Sequence, residues 1–268
     1  MSAAATGSAV TDDGARIHFD VIGDGEPLLL LAGQANSRHW WDPVRPHLAA
    51  RYRTVAVDAR GTGDSDAPTS GYGTRRLAAD AVAVLDALGV ERAHVYGTSM
   101  GGKVAQWVAI DHPGRVGALV LGCTTPGGPD GLVAGPEVVG PLAGPTAAAR
   151  RALAELMVTP AWLDRHPDGA DAVLGDPGMT AAARRGHRQA SAEHDASADL
   201  DRIAAPTLVL HGTDDVFCPA RNADLLVKGV PGAKLVLLDG ARHAYFLERR
   251  EEASRLVLDF LRRHPLDR

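Results

Sequence analysis

Apolar positions along this chain fall into two interleaved patterns. Short unbroken runs, PLLLLAG (27–33), TVAVDARG (54–61), AHVYG (93–97), ALVLGC (118–123), PTLVLHG (206–212) and AKLVLLDG (233–240), each end in glycine, polar or acidic residues. A strand with one wet face alternates, so continuous runs of this length predict strands covered on both faces, as in a parallel sheet. Between them lie segments with helical spacing: TRRLAADAVAVLDALG (74–89), MGGKVAQWVAIDHP (100–113), NADLLVKGV (222–230) and EEASRLVLDFLRRH (251–264). Strand and helix in turn predict an α/β fold with a doubly wound, mostly parallel sheet. The segment ARIHFDVIG (15–23) alternates instead and predicts an antiparallel edge hairpin.

One stretch breaks this rhythm. From Thr124 to Ala205 no run has strand character, while TAAARRALAELMV (146–158), PAWLDRH (160–166), DGADAVLG (168–175) and TAAARRGHRQASAEH (180–194) read as short helices. The Gly/Pro-rich TPGGPDGLVAGPEVVGPLAGP (125–145) predicts loop. The expected organisation is a core built from 1–123 and 206–268, with a helical cap, 124–205, inserted between late strands. Open α/β sheets bind ligands outside the carboxyl ends of their strands, where such an insertion would form a lid.

Composition narrows the functional classes. Hydrophobic residues at 45% and charged residues at 23% suit a globular chain. A net charge of −5 with scattered arginine pairs leaves no electrostatic footprint for nucleic acid. The start MSAAATGSAV lacks the basic and apolar regions of a secretory signal, and LLLLA (28–32) is too short to span a bilayer. A cytoplasmic location, no membrane partner and two free cysteines, Cys123 and Cys218, are the expectations. No H-E-x-x-H, G-x-G-x-x-G or Walker loop follows a strand, so neither a metal nor a cofactor is expected. No heptad pattern indicates an oligomeric state.

The chemistry concentrates in HVYGTSMGGKV (94–104), where glycines surround one serine between a predicted strand and a predicted helix. Glycine weakens both kinds of element, so a cluster of it marks backbone geometry that a Cβ forbids. Gly97-Thr98-Ser99-Met100-Gly101 satisfies G-x-S-x-G in the strand–turn–helix context that this motif requires, which makes Ser99 the candidate nucleophile. A serine hydroxyl needs a base within hydrogen-bond reach and a third group to orient that base. Of eleven histidines, His243 in GARHAYF (240–246) lies just past the last predicted strand, at the sheet edge where Ser99 emerges. The loop HGTDDVFCP (211–219) offers Asp214 and Asp215, and the chain order Ser, Asp, His accompanies this motif. Neighbouring side chains in a loop point apart, so one carboxylate orients His243 and the other faces solvent or caps the turn. One oxyanion donor is the backbone N–H of Met100, the residue after the nucleophile.

Over nearly its full length the sequence resembles the α/β-hydrolase superfamily, through the elbow YGTSMGG, the turn DARGTGDSD (58–66), the acid loop HGTDDVFCP and the histidine loop GARHAYFLE. That family's usual G-x-x-D-x-x-x-P register places Gly212, Asp215 and Pro219 together and selects Asp215. Relatives commonly carry His-Gly and then a donor residue after the first core strand. Here the sequence is Ala32-Gly33-Gln34, which implies Gln34 as the second oxyanion donor, with Gly33 as the alternative. Trp40 and Trp41 are candidates for the substrate pocket, and Asp58 and Arg60 for ordering their turn.

The resemblance implies a serine esterase, enol-lactonase or cofactor-free haloperoxidase-like enzyme, cleaving a carboxylic ester or lactone of a small molecule. Serine at the elbow argues against the dehalogenases and epoxide hydrolases of this fold, which carry aspartate there. A C–C hydrolase or lyase, a thioesterase, and a slow-turnover receptor of the same fold are the alternatives.

Overall fold

The computed structural model describes residues 5–142 and 146–266. Among these, eight strands form one sheet: β1 (Ala5–Val10), β2 (Arg16–Ile22), β3 (Pro27–Leu31), β4 (Arg53–Val57), β5 (Ala93–Thr98), β6 (Val116–Gly122), β7 (Thr207–Gly212) and β8 (Lys234–Leu238). Their spatial order is β1-β2-β4-β3-β5-β6-β7-β8. The β1–β2 and β2–β4 pairs are antiparallel, and every pairing from β4–β3 through β7–β8 is parallel.

From β3 to β7 the continuous apolar runs are explained by two hydrophobic cores, one on each face of the sheet, whereas the run in the edge strand β8 leaves Leu237 exposed. Successive strand residues point to opposite faces, so Leu29, Val95, Leu119 and Val209 join one core while Leu30, Tyr96, Val120 and Leu208 join the other. On the first face lie α2 (Thr74–Ala87), α3 (Met100–Asp111) and α8 (Arg221–Gly229), contributing Leu77, Val84, Val104, Val108 and Leu226. On the second lie α1 (Arg45–Ala49), α9 (Tyr245–Glu248) and α10 (Arg250–Arg262), with Leu48, Phe246, Val257 and Phe260. Every residue of β5, β6 and β7 is buried, so the middle of the sheet is packed on both faces.

Between β6 and β7 the chain leaves the sheet for a helical segment containing α4 (Pro136–Val139), α5 (Ala147–Met157), α6 (Pro160–Arg165) and α7 (Ala181–Ala192). Three of these helices start by one device. Thr146, Thr159 and Thr180 accept the N–H groups of Ala149, Trp162 and Ala183 at 3.1, 3.3 and 3.1 Å, satisfying donors that a helix start leaves unpaired.

Three local expectations need correction. Residues 15–23 supply only one strand, β2, of the antiparallel edge hairpin; its other strand is β1, formed by the preceding segment ATGSAV. That segment is small-residued and mostly exposed, so it carries no apolar signal. Residues 168–175 do not form an α-helix; Pro167–Val173 is 3-10. The stretch expected as loop at 125–145 contains α4 and a 3-10 turn at Gly140–Leu142, while 143–145 lie outside the described residues. Among the described residues no helix is long and apolar enough to cross a membrane.

A buried ion cluster fixes the turn that follows β4. Arg60, with no exposed side-chain surface, donates Nε and Nη2 to the Asp80 carboxylate at 2.7 and 2.8 Å, and Nη1 to Asp13 at 3.0 Å and the Gly71 carbonyl at 3.2 Å. A buried charge is tolerated only when it is paired and hydrogen-bonded, and removing one partner typically costs about 3–5 kcal/mol. Asp80→Ala is therefore expected to destabilise the fold by about 3 kcal/mol, read as a lowered urea midpoint at unchanged slope.

Candidate active site

Ser99 sits between the end of β5 and the start of α3 with φ 54° and ψ −122°. A non-glycine residue rarely takes positive φ, and its strain persists only where the surroundings impose it. Here the Ser99 N–H donates to the Gly122 carbonyl at 2.9 Å, and the Ser99 carbonyl accepts from the Thr124 hydroxyl at 2.7 Å. Both contacts come from the end of β6 and its continuation, so the neighbouring strand holds the turn. The glycines make that approach possible. A Cβ on Gly101 would overlap the Leu31 carbonyl, and one on Gly97 would overlap the Gly101 carbonyl. A Cβ on Gly102 would lie 2.7 Å from the Thr124 side chain.

His243 and Asp215 approach from the loops after β8 and β7. His243 Nδ1 lies 2.8 Å from Asp215 Oδ2, and both side chains are buried. Nδ1–H donating to the carboxylate leaves the Nε2 lone pair to accept a proton. Asp215 Oδ1 also accepts the Cys218 N–H at 2.8 Å, and Oδ2 lies 3.3 Å from His211 Nε2. Burial opposes ionisation of this carboxyl, but the charge and hydrogen bonds of His243 and His211 outweigh it and hold the pKa down at about 2. Asp214, the neighbour that sequence alone left in contention, points outward and accepts from the Thr213 hydroxyl at 3.0 Å. Its N–H meets the Ala241 carbonyl at 3.0 Å, tying the acid loop to the histidine loop.

The loop after β3 closes the third side. Asn36 N–H donates to the Gly33 carbonyl at 3.2 Å, and Asn36 Nδ2 donates to the Gln34 carbonyl at 3.0 Å. Ala35 has φ 60° and gives its N–H to His187 Nδ1 at 3.2 Å. The Gly33 Cα is so close to Ser99 that a Cβ on it would lie 3.4 Å from the Ser99 Cβ. Met100 begins α3, where the first N–H groups have no partner within the helix.

These elements line one cavity of about 190 Å³. The sheet side contributes Gly33, Gln34, Asn36, Trp40, Ser99, Phe217 and His243; the helical segment contributes Leu153, Met157, Val173, Leu174, Arg184 and Arg188. Trp40 reaches it, with its indole N–H donating to Thr98 Oγ1 at 2.9 Å. Trp41 does not, which corrects the expected pairing of the two indoles. Fully buried, it packs on Tyr96 and Phe246 with ring centroids 4.8 and 5.7 Å apart. Larger grooves of about 690 and 780 Å³ open elsewhere and contain neither Ser99 nor His243.

Asn36, Phe217 and the two arginines were not among the residues singled out from sequence. Phe217, edge-on to His243 at 5.1 Å, sits in the acid loop and could have been found from that motif. The arginines come from a segment without a motif. Among the described residues, His18, Asp58 and Asp64 have metal-ligand proximity, but the Arg38 guanidinium pairs with both carboxylates and none of the three lines the cavity.

Comparison with known proteins agrees with this architecture. The family described as alpha/beta hydrolase fold matches residues 26–250. A Variovorax paradoxus (strain S110) protein assigned as carbamate hydrolase RutD is 33% identical, over 92% of this chain and 96% of its own. The 2-hydroxy-6-oxo-6-phenylhexa-2,4-dienoate hydrolase of Comamonas testosteroni is 30% identical, over 92% and 91%. The crystal structure of esterase RhEst1 from Rhodococcus sp. ECU1013 superposes with a TM-score of 0.84 at 30% identity, covering 97% of this chain and 99% of that one.

The low pKa of Asp215 has a consequence for stability. A carboxyl with a folded pKa of about 2, against about 3.9 when unfolded, adds stability that is complete above the unfolded value and is lost as pH falls from there towards 2. Urea denaturation between pH 6 and pH 2.5 is expected to show a shallower acid decline for Asp215→Asn than for the wild type. Equal slopes would exclude the burial-versus-pairing account of this carboxylate.

Proposed function

We propose, from the premise that this chain belongs to the α/β-hydrolase family, that it is a serine hydrolase cleaving a carboxylic ester or lactone of a small organic molecule through an acyl-enzyme. The observation that carries this reading is the convergence of a positive-φ serine and a buried His–Asp pair on one cavity. In this reading Ser99 Oγ attacks the carbonyl carbon while His243 Nε2 accepts the hydroxyl proton. The ionised Asp215 fixes the imidazole tautomer and stabilises the imidazolium. The N–H groups of Met100 and Gln34 receive the developing alkoxide. Such donors act where charge appears in the transition state, and each is worth about 3 kcal/mol. Collapse of the tetrahedral intermediate passes the proton from His243 to the leaving alcohol, and water then repeats the sequence to release the acid. Residues 124–205 serve as the lid over a core of 1–123 and 206–268, since the lid side of the cavity comes from that segment.

Two guanidiniums on the lid side narrow the substrate. Arg184 is tied to the Asp176 carbonyl, and among the described residues Arg188 has no ion-pair partner. An exposed, unpaired guanidinium at the mouth of a small cavity favours a substrate that carries a carboxylate beyond the scissile bond. The same feature favours one second reading, hydrolysis of a C–C bond in an acidic oxo compound, which matches the dienoate named for the Comamonas testosteroni relative.

A panel of p-nitrophenyl esters, lactones, a carbamate and an oxo-dienoate separates these readings by turnover. Ser99→Ala is expected to abolish ester hydrolysis, by about 10⁶-fold in kcat; retention of the wild-type rate would refute the nucleophile assignment. Arg188→Ala should lower kcat/KM for the monoester of a dicarboxylic acid about tenfold more than for a neutral ester of equal length, the scale of one charged hydrogen bond. Equal losses on the two esters would remove the acidic-substrate reading.

A further inference from the structure

The proposed second oxyanion donor, the Gln34 N–H, lies in a loop held from within by Asn36, which donates to the Gly33 and Gln34 carbonyls. Ala32 and Gly33 offer no side chain that can hydrogen-bond, and Ala35 takes a left-handed conformation without glycine's freedom. A further anchor arrives from 152 residues away, in α7. His187, fully buried, stands between two backbone groups of the core. Its Nε2 lies 2.8 Å from the Arg60 carbonyl, which can only accept, so Nε2 carries the proton. Nδ1 is then a lone pair, and it accepts the Ala35 N–H at 3.2 Å. Burial holds the imidazole pKa below its ordinary value, in keeping with this neutral form. The Ala35 carbonyl is also occupied, by the Asp176 N–H at 2.7 Å. Both polar groups of the Ala35 peptide backbone therefore face the lid segment, and the preceding N–H, that of Gln34, has no partner within the loop's own hydrogen-bond set.

We propose that His187 is a positioning residue. It clamps the Ala35 N–H and so aims the Gln34 N–H at the alkoxide, making transition-state stabilisation depend on the seating of α7 on the core. The inference rests on the serine-hydrolase reading above. The clamp continues inward, because Arg60, whose carbonyl it uses, is locked by Asp80.

Two substitutions distinguish an aiming role from simple space-filling. His187→Asn keeps an acceptor at the Nδ1 position and loses the Arg60 contact; His187→Gln keeps the bulk and the Nε2 donor position and loses the acceptor for Ala35. Kinetics on p-nitrophenyl butyrate, normalised to active sites titrated with a fluorophosphonate, remove any misfolded fraction. His187→Gln is expected to lose about 10- to 100-fold in kcat with KM within about threefold, and His187→Asn to stay within about tenfold of wild type and above His187→Gln, as misalignment of one oxyanion donor predicts. A kcat for His187→Gln equal to wild type, a loss confined to KM, or a loss in His187→Asn as large as in His187→Gln overturns the proposal. Ser99→Ala is run beside them. Absence of any turnover or titration in the wild type would defeat the serine-hydrolase reading itself, whereas an active wild type with unaffected His187→Gln defeats only the clamp.

Discussion

The backbone of Ser99 is the constraint around which the centre of the molecule is arranged. A positive-φ, non-glycine residue costs on the order of 1–3 kcal/mol and must be held by its surroundings. The surroundings here are the middle strands of the sheet. β6 supplies the carbonyl of Gly122 for the Ser99 N–H, and β3 brings the Leu31 carbonyl to where only Gly101 fits. With β3 on one side of β5 and β6 on the other, the order of the central strands and the glycine spacing of the elbow are one requirement seen at two scales. Complete burial of β5 and β6 gives that requirement its rigidity, because a packed core resists the small shifts that would relax the serine to an ordinary conformation.

Two buried charges, Asp215 and Arg60, follow a second rule, that each is paid back by partners on more than one element. Asp215 gathers His243, His211 and the Cys218 N–H. Arg60 gathers Asp80, Asp13 and the Gly71 carbonyl. Desolvation acts in opposite directions on the two, raising the carboxyl pKa and lowering that of the guanidinium, and in both cases pairing wins. The outcome is a permanently ionised acid beside His243 and a permanently charged post beneath α7. Neither depends on pH near neutrality.

What the sequence made legible was what the backbone alone controls. Unbroken apolar runs marked the strands of the parallel part; for β3 to β7 that is because burial on both faces leaves no alternation to misread, while β8 keeps an apolar run although it is an edge strand with Leu237 exposed. The glycine spacing around Ser99 was legible for the same reason: a forbidden Cβ is a local fact. Asp215 against Asp214 was not settled by the residues themselves, since adjacent side chains differ only in direction, and the family register was needed to separate them. Trp40 and Trp41 failed to separate in the same way. Both lie in one 3-10 turn, Arg38–Trp41, and both pack on Phe246 in the same core, but only Trp40 also reaches the cavity. β1 left no pattern at all, because an exposed edge strand of Ala, Thr, Gly and Ser needs none.

The least legible part is the half of the cavity contributed by α5, α7 and the end of the Pro167–Val173 3-10 helix between them. Its residues are recruited by tertiary contact across long separations, as with His187 and Ala35, and no spacing rule connects such pairs. That asymmetry has a physical origin. On the proposed reading the sheet side must satisfy severe local geometry around an alkoxide, so its residues are constrained one by one and leave motifs. The helical side, as the proposed lid, must only exclude water and present a few charges at suitable distances, which many alanine- and arginine-rich helices can do. A chain of this kind therefore displays its reaction in its turns and hides its substrate in its insertion. The residues that bridge the two halves are the ones through which a change in substrate shape can reach the chemistry.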